Sequence, residues 1–314
     1  MKTFLFTTMC LFSLTACEHN DLNVEEDFSE NFLSVEAEIS ESAVVSRTTT
    51  DSAGKVTFAN GDKIGFYTPT SRESGLWTLT DNSWTSETTY VWATKTEEYN
   101  FCAYYPFTVA ETRDAITMPN LSTQDGTIDN IGKYDFLVAR CTASYATKNG
   151  TVSFTGKEAF KHTNAMLAIT LKTNADTDGS SLTGLTLSAA DLVSSYTYHF
   201  GESQEADGTT VKAGGQNELT LSGLSDSIQE GVKKVFIVNP LESKGNLTIS
   251  VDYTRENETY KASAEISAAT IQAGKLNNLT LLIKKSGLVV AGNTVTDWVV
   301  NDLGDVSVEE NPAQ

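Results

Sequence analysis

The stretch Leu33-Ser34-Val35-Glu36-Ala37-Glu38-Ile39-Ser40 alternates apolar and polar side chains without a break. Its apolar members are Leu33, Val35, Ala37 and Ile39, and every residue between them is serine or glutamate. Successive side chains of a β-strand point to opposite faces of the sheet, so this alternation predicts a strand with one buried and one solvated face. Such a strand needs other strands to pack against, and the rest of the chain supplies them.

Similar segments recur along the chain and are separated by Gly, Asn and Asp. The clearest pair covers residues 247–253 and 260–266, which alternate in the same way on either side of a short charged turn. No segment keeps a helical period, and turn signals return about every ten residues, which is typical of β-sandwiches. The 314 residues suffice for two domains. We therefore expect an all-β fold with two β-sandwich domains in tandem, of transthyretin-like or Greek-key type.

The sequence divides into five segments, and the boundary between the two domains is the least marked because no Pro- or Gly-rich linker accompanies it. The segments are a signal peptide at 1–16, an acidic tether at 17–31, an N-terminal domain at 32–160, a C-terminal domain at 161–285 and a tail at 286–314.

The net charge of −19 disfavours nucleic acid and anionic lipid as partners. Cys102 and Cys141 remain after the signal region, either as a disulfide or as two buried thiols.

The N-terminus resembles the signal peptide of bacterial lipoproteins. Lys2 precedes an apolar run that is too short to span a bilayer, and Leu14-Thr15-Ala16-Cys17 follows it like a lipobox. The resemblance implies cleavage before Cys17, lipid on that cysteine and folding outside the cytoplasm. An ordinary secretory signal with a chance cysteine is the alternative.

Several fragments together resemble the fimbrillin family across residues 33–300. They are Asn60–Gly65, Ala103–Pro106, Tyr134–Ala139, Phe160–His162 with Ala165–Leu167, Val235–Pro240 and Ala273–Lys275. Fimbrillins are lipoprotein subunits of type V pili with two β-sandwich domains, and the family includes tip and anchor subunits. The resemblance implies that the precursor reaches the outer membrane by its lipid. An arginine-specific protease then removes the first strand, and a strand from another subunit fills the groove.

The residues suggest where such processing would occur. Arg47 lies in a polar Ser/Thr loop, and cleavage there would remove the strand that carries Leu33, Val35, Ala37 and Ile39, leaving an apolar groove. A plain surface arginine is the alternative, and Arg72 and Arg113 are rival sites.

The tail is the expected source of the donor strand, because it is apolar and must be buried somewhere. Its candidate residues are Val295, Trp298, Val300, Val306 and Val308. The alternative is that the tail forms a final hairpin on its own domain.

No arrangement of residues indicates catalysis. His162 and His199 have no Cys or Glu at ligand spacing, so we interpret both as structural. Residues 174–179 resemble the start of a calcium loop, but Leu185 occupies the position where a bidentate Glu is needed, so we interpret them as a solvated turn. We expect no enzyme activity, no catalytic residue, no metal and no cofactor.

Two functions are therefore open. The first is a structural subunit of a cell-surface fimbria, lipid-anchored to the outer membrane and supporting adhesion. Its partners would be other fimbrial subunits and a host or bacterial surface ligand, with the membrane contacted only through the lipid and no nucleic acid bound. The alternative is a monomeric surface lipoprotein that binds glycans through exposed aromatics, with Trp77, Trp84 or Trp92 as the platform.

Overall fold

The structure is a computed structural model, and it describes residues 31–40, 57–193, 196–211, 217–241, 245–268 and 271–297. Within these ranges the regular structure is β-strand apart from short 3₁₀ turns and one short helix, α1 (Tyr145–Lys148). The predicted all-β fold is confirmed. In the same ranges, no helix is long and apolar enough to cross a bilayer.

The strands of the first half of the chain are β1 (Ser34–Ala37), β2 (Lys63–Tyr67), β3 (Gly75–Thr80), β4 (Ser83–Thr85), β5 (Tyr99–Tyr105), β6 (Ile116–Thr117), β7 (Leu137–Ala143), β8 (Thr151–Phe154) and β9 (Lys161–His162). Six of them form a sheet in the order β4-β3-β2-β5-β7-β9, in which neighbouring strands are antiparallel. A separate parallel pair joins β1 to β8.

The strands of the second half are β10 (Ala165–Thr173), β11 (Ser181–Ser188), β12 (Tyr196–His199), β13 (Gly208–Val211), β14 (Glu218–Ser227), β15 (Val232–Val238), β16 (Asn246–Arg255), β17 (Glu258–Ser267), β18 (Lys275–Lys284) and β19 (Gly287–Asp297). Eight of them form two four-stranded sheets, ordered β15-β10-β18-β19 and β14-β11-β16-β17, whose apolar residues belong to one core.

The hairpin predicted at 247–266 forms as β16 and β17, and the apolar residues of β16 are buried on one face. Glu256 and Asn257 connect the strands with φ values of 52° and 65°. Two consecutive residues with positive φ match the right-handed twist of the flanking strands, so this short turn fixes the register of the hairpin.

The β12–β13 hairpin belongs to the second half but lies on the first. β12 pairs with β6, and it places Tyr196, Tyr198 and Phe200 in a second, aromatic core on the outer face of the six-stranded sheet. Both faces of that sheet are therefore covered, one by the main core and one by this hairpin.

The boundary between the two predicted domains stays a prediction. β9 (Lys161–His162) still pairs with β7 in the first sheet, and β10 opens the second set of sheets at Ala165. At the other end, β19 continues the C-terminal sheet beyond residue 285 to Asp297.

Candidate functional site

The alternating stretch that predicted a strand contains β1, which forms a ladder with one partner strand. β1 runs parallel to β8, with Ser34 opposite Thr151 and Ala37 opposite Phe154. Ser34 N–H donates to the Gly150 carbonyl oxygen at 3.1 Å, and Glu38 N–H donates to the Phe154 carbonyl oxygen at 3.0 Å. The pairing joins residues more than a hundred positions apart in sequence, so it could not be read from local pattern.

The pairing continues past the end of β1. Phe160 N–H donates to the Glu38 carbonyl oxygen at 2.9 Å, and Ser40 N–H donates to the Phe160 carbonyl oxygen at 2.7 Å. At the other end, Leu33 N–H donates to the Tyr90 carbonyl oxygen at 2.9 Å. The Phe160 bonds extend the edge of the strand that faces β8. The Tyr90 bond lies on the opposite edge, where Phe32 also forms an antiparallel bridge with Val91.

The apolar face of β1 enters the main core as the alternation predicts. Leu33, Val35 and Ile39 are 8%, 5% and 2% exposed, and Ala37 is partly buried against the same core. Burial of each large side chain is worth about 1.5–3 kcal/mol, so removal of the strand would leave an unfavourable apolar groove.

The other edge of β1 faces β4 across an open cleft rather than a second ladder. The cleft has a volume of about 1040 Å³, and its lining includes β1, residues 57–60 and residues 82–84. In the described part of the chain β1 pairs only with β8. Parallel pairing is slightly weaker per residue than antiparallel pairing, so β1 combines a deeply buried face with a single ladder of the weaker, parallel kind.

The structure describes only some of the predicted modification and processing sites. Cys17 and Arg47 are outside the described residues. Of the rival arginines, Arg72 is exposed in a turn, whereas Arg113 is tied down. Arg113 Nη2 donates to the Thr68 carbonyl oxygen at 3.0 Å, and its guanidinium lies 5.5 Å from the ring centroid of Tyr67.

The start of the predicted tail forms the last hairpin of its own sheet. β19 pairs with β18 in antiparallel fashion, and Val295 lies opposite Asn277 with 40% of its surface exposed. For residues 287–297 the alternative reading, a final hairpin, is what the structure contains. Trp298, Val300, Val306 and Val308 are outside the described residues.

The aromatic platform of the glycan alternative is wrong. Trp77, Trp84 and Trp92 are only 4%, 8% and 2% exposed. Trp77 stacks on Tyr90, and Trp92 Nε1 donates to the Gly150 carbonyl oxygen at 2.9 Å. The sequence pattern could not separate a buried cluster from an exposed one, because both use the same residue types.

The two cysteines are separate buried thiols. Cys102 on β5 lies opposite Arg140, and Cys141 on β7 lies opposite Phe101, so the thiols point to opposite faces of one sheet. Burial raises the pKa of Cys102 to about 11 and that of Cys141 to about 12. Both thiols therefore stay protonated and unreactive at neutral pH.

The two described histidines lie in strands, His162 in β9 and His199 at the end of β12. His162 is buried, and its Nδ1 lies 3.1 Å from each carboxylate oxygen of the buried Asp135, a pairing that the sequence did not indicate.

The segment that resembles the start of a calcium loop forms a turn at residues 175–179, and in it the Thr177 hydroxyl donates to the Ile283 carbonyl oxygen at 2.7 Å. Across the described ranges, no group of three His, Cys, Asp or Glu side chains is placed to hold a metal ion.

Comparison with known proteins gives a family and a fold. A family model described as fimbrillin-like matches residues 46–298. A candidate cell adhesion protein from Bacteroides uniformis has a similar structure, with a TM-score of 0.59 and 21% identity over 86% of this chain and 99% of that chain. A second one, from Bacteroides ovatus, has a TM-score of 0.56 and 16% identity over 87% of this chain and 99% of that chain. No curated protein sequence matches the chain.

Proposed function

Because the chain belongs to the fimbrillin-like family, we propose that it is a structural subunit of a cell-surface fimbria, exported as a lipoprotein and assembled by strand exchange after proteolysis. Family membership puts the chain among fimbrial and adhesion proteins of the cell surface. The partners in this proposal are other fimbrial subunits and a host or bacterial surface ligand, and the membrane is contacted only through lipid on Cys17.

The observation that carries the proposal is the single strand ladder that holds β1. Within the described ranges β1 forms a ladder only with β8, and its flanking residues add single bonds to residues 90–92 and to Phe160. Leu33, Val35 and Ile39 fill the main core. Loss of β1 would expose three large apolar side-chain sites and the unpaired edge of β8. An incoming strand with the same alternation would restore both, which is the physics of strand addition.

The boundary of the family match supports the processing step of the proposal. The matched span begins at residue 46, one residue before Arg47, and leaves β1 outside it. Cleavage after Arg47 would separate β1 from the matched part of the chain at that point. Arg113 is a poor rival because its guanidinium is bonded to the protein, and Arg72 is the rival that remains exposed.

The donor strand in this proposal comes from the residues after β19. β19 itself is paired along its length with β18, so its use as a donor would require that ladder to open. Residues 298–314 follow Asp297, the last described residue of that ladder, and contain Trp298, Val300, Val306 and Val308. We therefore assign the donor strand to residues 298–314 and interpret β19 as the paired strand that precedes it.

The deciding experiment follows the mass distribution of purified protein, without its first 17 residues, before and after limited digestion by an arginine-specific protease. We expect a monomer before digestion, cleavage after Arg47, and slow growth into oligomers because the old strand must leave first. Arg47→Ala should block cleavage and growth, whereas Arg72→Ala, the matched control, should leave both unchanged.

A chain that ends at Asp297 keeps β19 but lacks the proposed donor, and after digestion it should stay monomeric. If this shorter chain polymerises as well as the whole one, the donor is not the C-terminal segment. If the digested whole chain stays monomeric at high concentration, strand exchange is wrong for this protein.

A further inference from the structure

A cavity of about 340 Å³ opens where the β12–β13 hairpin crosses the outer face of β7. This volume lies at the small end of ligand-binding sites and suits a ligand the size of one sugar ring. Arg140 of β7 and Tyr198 of β12 line it, together with Lys157 and Lys161 from the segment that precedes β10. The lining therefore combines side chains from both halves of the chain.

Arg140 is fixed in place by hydrogen bonds and still has a nitrogen, Nη1, that can donate to a ligand. Its Nε lies 3.1 Å from Asp207 Oδ2, its Nη2 lies 2.6 Å from Asp207 Oδ1, and Nη2 also donates to the Gly201 carbonyl oxygen at 2.8 Å. In the described part of the chain Nη1 makes no hydrogen bond. Burial alone would lower the pKa of Arg140, but the hydrogen bond to Asp207 raises it, so the guanidinium is charged. The ion pair thus holds a cationic donor in a fixed direction.

Tyr198 adds a second donor. Its ring is packed against Phe200 at 5.0 Å and Phe136 at 5.8 Å between centroids, which fixes its position. Burial raises the pKa of Tyr198, so the phenol keeps its proton. Among the described residues the hydroxyl has no hydrogen-bond partner.

The side chains that line the cavity carry one more positive than negative charge. Arg140 is matched by Asp207, and Glu158 can match only one of the two exposed lysines, Lys157 and Lys161. Glu205 is not part of the lining, but it is near enough to Arg140 to interact with its charge. Neither lysine has an ion-pair partner in the described ranges. A positive excess is notable in a chain whose net charge is −19. One negative charge on a ligand would balance it.

We propose that this cavity binds a carboxylated sugar, such as a uronic or sialic acid residue of a surface glycan. The carboxylate would accept hydrogen bonds from Lys157, Lys161 and Nη1 of Arg140, and a ring hydroxyl would accept from Tyr198. The proposal does not require polymerisation. The titration uses the undigested chain, because Glu38 and Ser40 bond to the segment that carries Lys157 and Lys161 and would be lost together with β1.

The test is a saturation-transfer NMR titration of the folded chain with glucuronate, with N-acetylneuraminate and with neutral glucose. We expect saturable binding of at least one carboxylated sugar with a Kd of about 1 mM, and no binding of glucose. The sugar that binds more tightly identifies the class of glycan, since uronates and sialates come from different surfaces.

Two conservative variants locate the binding. Lys161→Gln removes one charge from an exposed side chain, and Tyr198→Phe removes the hydroxyl but keeps the ring, so each should weaken binding about three- to fivefold. Lys285→Gln removes an exposed charge at the β18–β19 turn and should change nothing. Binding of glucose as tight as that of the acids, an equal loss in Lys285→Gln, or no saturation up to about 20 mM acid would overturn the proposal.

Discussion

At the scale of the residue, tight packing around buried tyrosines explains why some small side chains are required. Gly65 of β2 lies opposite Tyr104 of β5, and a Cβ atom at Gly65 would lie only 2.0 Å from Tyr104 Cε1. The ring cannot easily move, because its hydroxyl is 3.0 Å from Ser74 Oγ and donates to the Val109 carbonyl oxygen at 3.2 Å. The glycine in the hairpin fragment Asn60–Gly65 thus has a packing role in this chain.

Gly65→Ala should therefore lower the free energy of unfolding by about 2 kcal/mol, because an added methyl group overpacks a rigid core. Gly292→Ala is the matched control in another strand, since its Cβ would lie 3.8 Å from Thr280, an ordinary contact. Urea denaturation of both variants measures the difference. Equal decreases in the free energy of unfolding would show that the Tyr104 ring moves to accommodate the added methyl group.

At the scale of the element, the first half of the chain protects a sheet edge in the second. β15 is the edge strand of its sheet, and Val235 N–H donates to the Gly126 carbonyl oxygen at 2.9 Å. The buried side chain of Gln124 continues this ladder, since its Oε1 accepts from Ile237 N–H and its Nε2 donates to the Ile237 carbonyl oxygen, both at 2.7 Å. A covered edge cannot template pairing with another chain.

Gln124→Met keeps the side-chain length but removes these bonds, so it should lower the free energy of unfolding by about 2–4 kcal/mol. It should also promote self-association, because the edge of β15 becomes available. Gln204→Met, at an exposed glutamine, is the control and should do neither. Denaturation and light scattering measure the two effects, and a Gln124→Met protein as stable as the control would show that the loop, rather than the side chain, covers the edge.

At the scale of the whole molecule, the Arg140–Asp207 ion pair fastens the β12–β13 hairpin to the six-stranded sheet. Asp207 Oδ1 also accepts from Gly201 N–H at 2.8 Å, so one carboxylate organises both the hairpin and its attachment. The side chains of Arg140 and Asp207 are 13% and 9% exposed, so loss of one partner would leave the other poorly solvated.

Arg140→Met should lower the free energy of unfolding by about 3 kcal/mol and loosen the hairpin. The control is Lys261→Met, which breaks an ion pair with Asp252 whose side chains are 69% and 41% exposed, and it should cost less than about 1 kcal/mol. Hydrogen exchange at Tyr196–His199 reports the loosening. Unchanged exchange there would show that pairing with β6 and aromatic packing hold the hairpin on the sheet without the ion pair.

Local patterns were sufficient for the strands that alternate most regularly. The alternation of residues 33–39 and the two arms of the 247–266 hairpin each predicted a strand and its buried face, because a period of two depends only on neighbouring residues. Resemblance at Asn60–Gly65 and the other fragments indicated the family that the match over residues 46–298 establishes.

The amino-acid sequence by itself thus determined the all-β class, the buried face of β1 and the family. Only the tertiary structure decided that β1 pairs in parallel with β8, that Cys102 and Cys141 point to opposite faces, and that the three tryptophans are buried. It also brought Arg140 and Tyr198 to one cavity. The physical reason is that alternation is a property of one strand, whereas partner choice and the covering of each sheet face depend on segments far apart in the chain.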